Sequence, residues 1–152
     1  MGDHAAKRFV TRGDIMHKLR RNKVLTPRHG LMLAAIDGHE THASYKRRHE
    51  GCLERKVTAG GREMTQYCHR FTVFQLIGRD FYLPIDAEPV LPGDDEVASA
   101  MRLLARVLVN HPRCFDVLTA DAIYLRPSVI DNFAELIAAD LLEDRWWPTH
   151  PP

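Results

Sequence analysis

The sequence has no apolar run approaching the roughly 20 residues that a membrane-crossing helix needs. Its start, Met1-Gly2-Asp3-His4, lacks the cationic-then-apolar layout of a secretory leader. Both absences point to a cytoplasmic protein without a membrane partner. Cysteine is scarce: Cys52, Cys68 and Cys114 are odd in number and without framework spacing, so free thiols are expected rather than a disulfide scaffold. No internal repeat occurs, and the only biased tract is a Pro-rich end, which excludes solenoids and fibres. An excess of charge of one sign is also missing, the net charge being +1.

What is present is a 45% hydrophobic fraction over 152 residues, enough for one domain with its own core. The charge is unevenly placed. Residues 1–79 hold 16 Lys and Arg against 7 Asp and Glu, whereas residues 80–152 hold 5 against 13. A basic segment can neutralise phosphates and release counterions, and gathered carboxylates can hold divalent cations. A solvated surface whose charges pair on folding accounts for the same asymmetry.

Residues 5–23 interleave Phe9, Val10, Ile15, Met16 and Leu19 with seven cationic residues, which predicts one or two short basic amphipathic helices. Pro27-Arg28-His29-Gly30 closes this basic segment, residues 1–30. The apolar run Leu31-Met32-Leu33-Ala34-Ala35-Ile36, ended by Asp37-Gly38, reads as a buried strand. Residues 53–85 favour β structure, with turns at Gly60-Gly61 and Gly78-Arg79-Asp80, which predicts an antiparallel three-strand meander. Acidic helix-starting residues follow at Asp94-Asp95-Glu96, ahead of Val97, Met101, Leu104 and Leu108 on one helical face, and His111-Pro112 stops that helix. A second apolar run, residues 115–120, is broken only by Asp116 and Thr119 and delivers Asp121; Cys114 before it is a small core residue. Pro127 suits the first turn of a last helix carrying Val129, Ile130, Phe133, Leu136, Ile137 and Leu141.

Strands followed by helix, strand and helix predict an α/β chain with a mixed sheet of α+β type. A strand reached through a helical crossover tends to lie parallel to an earlier one. In the slot beside the first strand it would bring Asp37 and Asp121, each at or just past a strand's C-terminal end, to one sheet edge, where such sheets bind ligands. Neighbouring ionised carboxylates repel unless cations lie between them, and two-metal phosphoryl-transfer sites hold Mg²⁺ ions roughly 3.5–4 Å apart. Taken singly, each Asp also fits a turn or a strand-end cap.

The segment Ala35-Ile36-Asp37-Gly38-His39-Glu40 resembles the first-aspartate motif of a DDE transposase family from bacterial insertion sequences. Arg47-Arg48-His49-Glu50-Gly51-Cys52-Leu53-Glu54-Arg55 and Gln66-Tyr67-Cys68-His69-Arg70 resemble its basic and Tyr-His-Arg segments. Leu91-Pro92-Gly93-Asp94-Asp95-Glu96 resembles its first-helix start, and Phe115-Asp116-Val117-Leu118-Thr119-Ala120-Asp121-Ala122-Ile123-Tyr124 its second-aspartate motif. The resemblance runs from about Arg12 to about Phe133. It implies an RNase H-like fold in which Asp37 and Asp121 are catalytic and ligate Mg²⁺ or Mn²⁺. It also implies cleavage at transposon ends in double-stranded DNA, followed by attack of the freed 3′ hydroxyl on a target strand. Lys46, Arg47, Arg48, Arg55 and Arg70 would contact phosphates.

The family continues into a further strand and a helix bearing a third catalytic carboxylate, a Glu. Here the match ends first, which leaves a partial catalytic domain, residues 31–142, a tail of unrelated character, residues 143–152, and weak or absent activity as the expectation. Glu135, Glu143 and Asp144 are the nearby substitutes, and a full-length transposase or a second copy of the chain is the partner that could complete the site. A different class of reading is a zinc-stapled nucleic-acid-binding module using His49, Cys52, Cys68 and His69. Cys68 and His69, adjacent in a strand, would point to opposite faces.

Overall fold

The computed structural model describes residues 18, 19, 21, 31–78 and 82–142. The expected N-terminal helices apart from residues 18, 19 and 21, Arg79 and Asp80 of the second turn, and the 143–152 tail lie outside the described residues. The elements are β1 (Leu33–Ser44), β2 (Leu53–Ala59), β3 (Arg62–Ile77), β4 (Tyr82–Pro89), α1 (Glu96–Asn110), β5 (Val117–Ala120), a 3₁₀ turn (Ala122–Tyr124) and α2 (Pro127–Leu142). The result is a mixed α/β fold built on one sheet.

The sheet order is β2-β3-β1-β5, with β4 also on β3. This corrects the simple meander. β1 lies against β3, and β2 and β4 sit end to end on the opposite edge of β3, over Arg62 to Cys68 and Phe71 to Ile77 respectively. Strand β3 is 16 residues long, enough to template two short strands. Two further corrections concern β1. It runs on to Ser44 rather than stopping at residue 36, and its second half is polar because that part is largely exposed. A register shift between Glu40 and His42 leaves Thr41 outside the ladder, as at a β-bulge. The expected Gly60-Gly61 turn closes the β2–β3 hairpin, with positive φ at both residues.

One face of the sheet presents Ala34, Ile36, Phe74, Leu76 and Ile85, all buried. Helix α1 covers it with Ala100, Leu103, Leu104, Val107 and Leu108, and α2 adds Val129 and Phe133. Val97 and Met101 are only partly buried, at the margin of the stripe. Ile130, expected on the packed face of α2, is exposed. Cys114 is buried in this core, as its surroundings suggested. Asp95 caps α1, its side chain accepting from the Ala98 amide at 2.8 Å.

Ionic contacts fasten α1 to β4. Arg106 reaches Asp86 at 2.8 Å and Glu88 at 2.5 Å, and Arg102 reaches Glu88 at 2.9 Å. Beneath them, Thr72 and Ser99 share a short buried hydrogen bond, and Ser99 Oγ also donates to the Glu96 carbonyl.

Strand β5 takes the expected slot, parallel to β1, pairing Leu33, Ala34, Ala35 and Ile36 with Val117, Leu118, Thr119 and Ala120. The two polar interruptions of its apolar run set this register. Asp116 accepts from the Met32 amide at 2.7 Å while its own amide donates to the Met32 carbonyl, and Thr119 Oγ1 donates to the Ala34 carbonyl at 3.0 Å.

Candidate functional site

The last paired residues of β1 and β5 are Ile36 and Ala120, so Asp37 and Asp121 are the next positions on strands about 4.8 Å apart. Because β5 stops there and β1 continues, the pair stands at a step in the sheet, with both side chains exposed. Asp37 is therefore inside β1 and not at its end, a correction to the expected placement, while Asp121 does follow its strand directly. Asp121 also caps the 3₁₀ turn by accepting from the Ala122 amide, so its capping role and its place beside Asp37 coexist.

A third carboxylate, on an element not considered for this role, stands on the Gly38 side of β1, the face that strand alternation puts opposite Asp37. Glu96, the first residue of α1, accepts a hydrogen bond from the Tyr124 hydroxyl at 2.9 Å. Its carboxylate lies against Gly38, where an added Cβ would overlap it. Gly38 is thus a strand glycine that leaves room for a neighbouring side chain, and not a turn residue. Tyr124 is buried, and its phenol is pushed well above the ordinary range by that burial, by the hydrogen bond to Glu96, and by the charges of Glu96, Asp37 and Asp121. One phenol therefore senses all three carboxylates.

Oxygen donors suit a hard cation of the Mg²⁺ or Mn²⁺ type, but among the described residues these three carboxylates do not stand close enough together to hold one ion as a group. Of the substitutes considered from sequence, Glu135 is exposed on α2, and Glu143 and Asp144 lie outside the described residues. The signal that would have revealed Glu96 is Gly38 itself, since a glycine inside an otherwise regular strand marks a close approach.

The basic candidates divide into two groups. Arg55 makes a two-pronged contact with Glu40 at 2.9 and 3.0 Å and also donates to Gln66, and Arg70 lies 3.6 Å from the same Glu40. These two hold three strands together. Lys46, Arg47 and Arg48 are exposed on the loop between β1 and β2, where Ser44 Oγ accepts from the amides of Lys46 and Arg47. Arg48 pairs with Glu54 at 3.2 Å and sits over the Tyr67 ring.

The same loop carries the sulfur and imidazole groups. Cys52 N donates to His49 O at 3.2 Å, and Gly51 adopts φ +84°, so residues 49–52 form a turn that sets His49 beside Cys52. The β2–β3 register pairs Leu53 with Cys68, which brings Cys52 next to His69. Cys52 Sγ is 3.4 Å from His69 Nε2, and the two histidine Nε2 atoms are 3.2 Å apart. His49, Cys52 and His69 are a group able to hold a metal ion. Cys68 is not part of it: it is buried, its side chain on the other face of β3 from His69 as strand alternation requires.

An apolar groove borders Asp121, lined by Leu118, Leu125, Ile130, Phe133 and Ile137. Among the described residues β5 pairs only with β1, so its outer edge faces this groove. No described helix is long and apolar enough to cross a membrane. Compared with family models, with curated proteins and with solved structures, the chain finds no match in any of the three.

Proposed function

We propose that this chain is part of a DDE-type insertion-sequence transposase with an RNase H-like fold, a family that cleaves double-stranded DNA at element ends, and that by itself it is at most weakly active. The observation that supports the reading is the parallel pairing of β5 with β1, which makes Asp37 and Asp121 the next positions on adjacent strands. The resemblance of the segments around both aspartates supports the same reading.

In this role Asp37 and Asp121 would hold Mg²⁺ or Mn²⁺, with Glu96 as the nearest further carboxylate on α1. When bound, such ions activate the attacking water or hydroxyl and stabilise the leaving oxygen. Tyr124 keeps its proton at neutral pH and holds one oxygen of Glu96 in place. Lys46, Arg47 and Arg48 meet phosphates on the backbone, which positions duplex without reading its sequence. Arg55 and Arg70 act one step back, by fixing Glu40 and the strands below that loop.

The test is Mg²⁺-dependent nicking of an end-labelled duplex at low salt, comparing the natural chain with Asp37→Asn, Asp121→Asn and Glu96→Gln. Nicking by the natural chain that disappears in both Asn variants is the expected result. Nicking that survives in both, or salt-sensitive DNA binding without any nicking, would remove the catalytic reading.

A further inference from the structure

We propose that His49, Cys52 and His69 form a zinc site that ties the basic β1–β2 loop to β3, separate from the carboxylates and independent of any cleavage chemistry. Tetrahedral zinc, with Zn–S about 2.3 Å and Zn–N about 2.0–2.1 Å, separates a bound sulfur from a bound nitrogen by about 3.5 Å and two bound nitrogens by about 3.4 Å. Cys52 and His69 already stand at such a spacing; His49 meets it to Cys52 through Nδ1 and to His69 through Nε2, and one ligand atom from each of the three lies within 4.8 Å of the others. Cys52 Sγ lies 3.4 Å from His69 Nε2 and 3.6 Å from His49 Nδ1, and the two Nε2 atoms are 3.2 Å apart.

Three separate features of the fold produce this convergence. The Gly51 turn sets His49 beside Cys52, the β2–β3 register sets Cys52 beside His69, and the alternation of β3 sends Cys68 the other way. The His49 amide also approaches Cys52 Sγ at 3.5 Å, an N–H contact that orients a coordinating sulfur. One thiol and two imidazoles are the borderline-soft donors that select zinc over magnesium. The imidazole rings are stacked, with centroids 4.6 Å apart, so one must turn slightly to aim both nitrogens at a single ion. Only one nitrogen of His49 can serve.

Three protein ligands leave a fourth position for water or for a ligand in the adjoining cleft, which His49 and Cys52 line together with Glu54 and Asp94. The site lies directly after Lys46, Arg47 and Arg48, so the ion would fix the loop that carries these cations. A plain hydrogen-bonded triad makes the same contacts without binding a metal, and the experiment separates the two.

The full chain, purified reduced and metal-free, would be titrated with Co²⁺ and then with Zn²⁺ against a chromophoric chelator. The expected result is one equivalent bound, with a thiolate-to-cobalt charge-transfer band that zinc abolishes by displacement. Cys52→Ser should remove the band, and Cys68→Ser and Cys114→Ser should keep it. His49→Gln, on the exposed loop, gives the same comparison if Cys52→Ser does not fold. Absence of the band in the natural chain, or its persistence in a folded Cys52→Ser or His49→Gln chain, would overturn the proposal. Mg²⁺-dependent nicking has no bearing on either result, so failure of the cleavage reading leaves this one standing.

Discussion

The chain brings one set of ligand-type groups together, His49, Cys52 and His69, and the proposed carboxylate set differs from it in how its members are supplied. The sulfur and imidazole set is built from nearby parts: a four-residue turn and one hairpin register bring residues 49, 52 and 69 together. The carboxylate set is built from distant parts, since Asp37, Glu96 and Asp121 come from β1, the start of α1 and the end of β5. The first set should therefore survive changes in helix packing that dismantle the second. Their donors differ too, sulfur and nitrogen against oxygen, so each should select its own class of metal.

The largest effect should come from breaking what both regions share. Phe74, fully buried in β3, packs in the core between the sheet and α1. Phe74→Ala should cost about 3–5 kcal/mol by lost burial and cavity formation. Denaturant unfolding would measure it, and zinc and manganese binding should both weaken.

A more selective break is Gly38→Ala. The new methyl would displace the Glu96 carboxylate and its hydrogen bond from Tyr124, at a cost of about 1–2 kcal/mol. Manganese affinity should fall while cobalt and zinc binding at residues 49–69 stays unchanged. Parallel calorimetric titrations would show whether the two regions are independent.

Tyr124 offers a direct view of the carboxylate side. Its folded-state pKa is raised, so its contribution to stability is present below the ordinary tyrosine value of about 10 and is lost as pH rises through the folded value. Ultraviolet titration should show one phenol ionising later than the rest. Glu96→Gln should move that phenol back toward the ordinary range.

The smallest effect concerns the fastening of α1 to β4. Burial raises the Glu88 carboxyl, but hydrogen bonds and charge from Arg102 and Arg106 outweigh it and hold the group below its ordinary value. The associated stability is complete above that ordinary value and is lost as pH falls through the folded one. Arg106→Gln should cost no more than about 1 kcal/mol at neutral pH, because the guanidinium is partly exposed, and should flatten the acid limb of a stability profile.

Much of this organisation was legible in the sequence, for a physical reason. The parallel slot of β5 followed from the helical crossover, and the place of Asp121 from the apolar run before it. That Cys68 and His69 point to opposite faces followed from strand alternation, though not which of them joins His49 and Cys52, and the Gly60-Gly61 turn followed from backbone freedom. The continuation of β1 past Asp37 was not legible, because residues 38–44 are mostly polar and their strand is held by backbone bonds to β3. The placement of β2 and β4 along a single edge of β3 depends on strand length and register, which hydrophobic pattern does not encode. Glu96 went unnoticed because an acidic residue in the first helical turn already has a sufficient reason to be there. Only its packing against Gly38 and Tyr124 links it to the aspartates.

Manganese binding to the full chain, followed by the paramagnetic signal of the free ion at neutral pH, tests most directly whether the aspartates and Glu96 form a cation site. The expected result is a bound Mn²⁺ that is lost in Asp37→Asn and in Asp121→Asn, weakened in Glu96→Gln, and unaffected by Cys52→Ser. Manganese binding that persists unchanged in both Asn variants, or that is absent from the natural chain, would contradict the site.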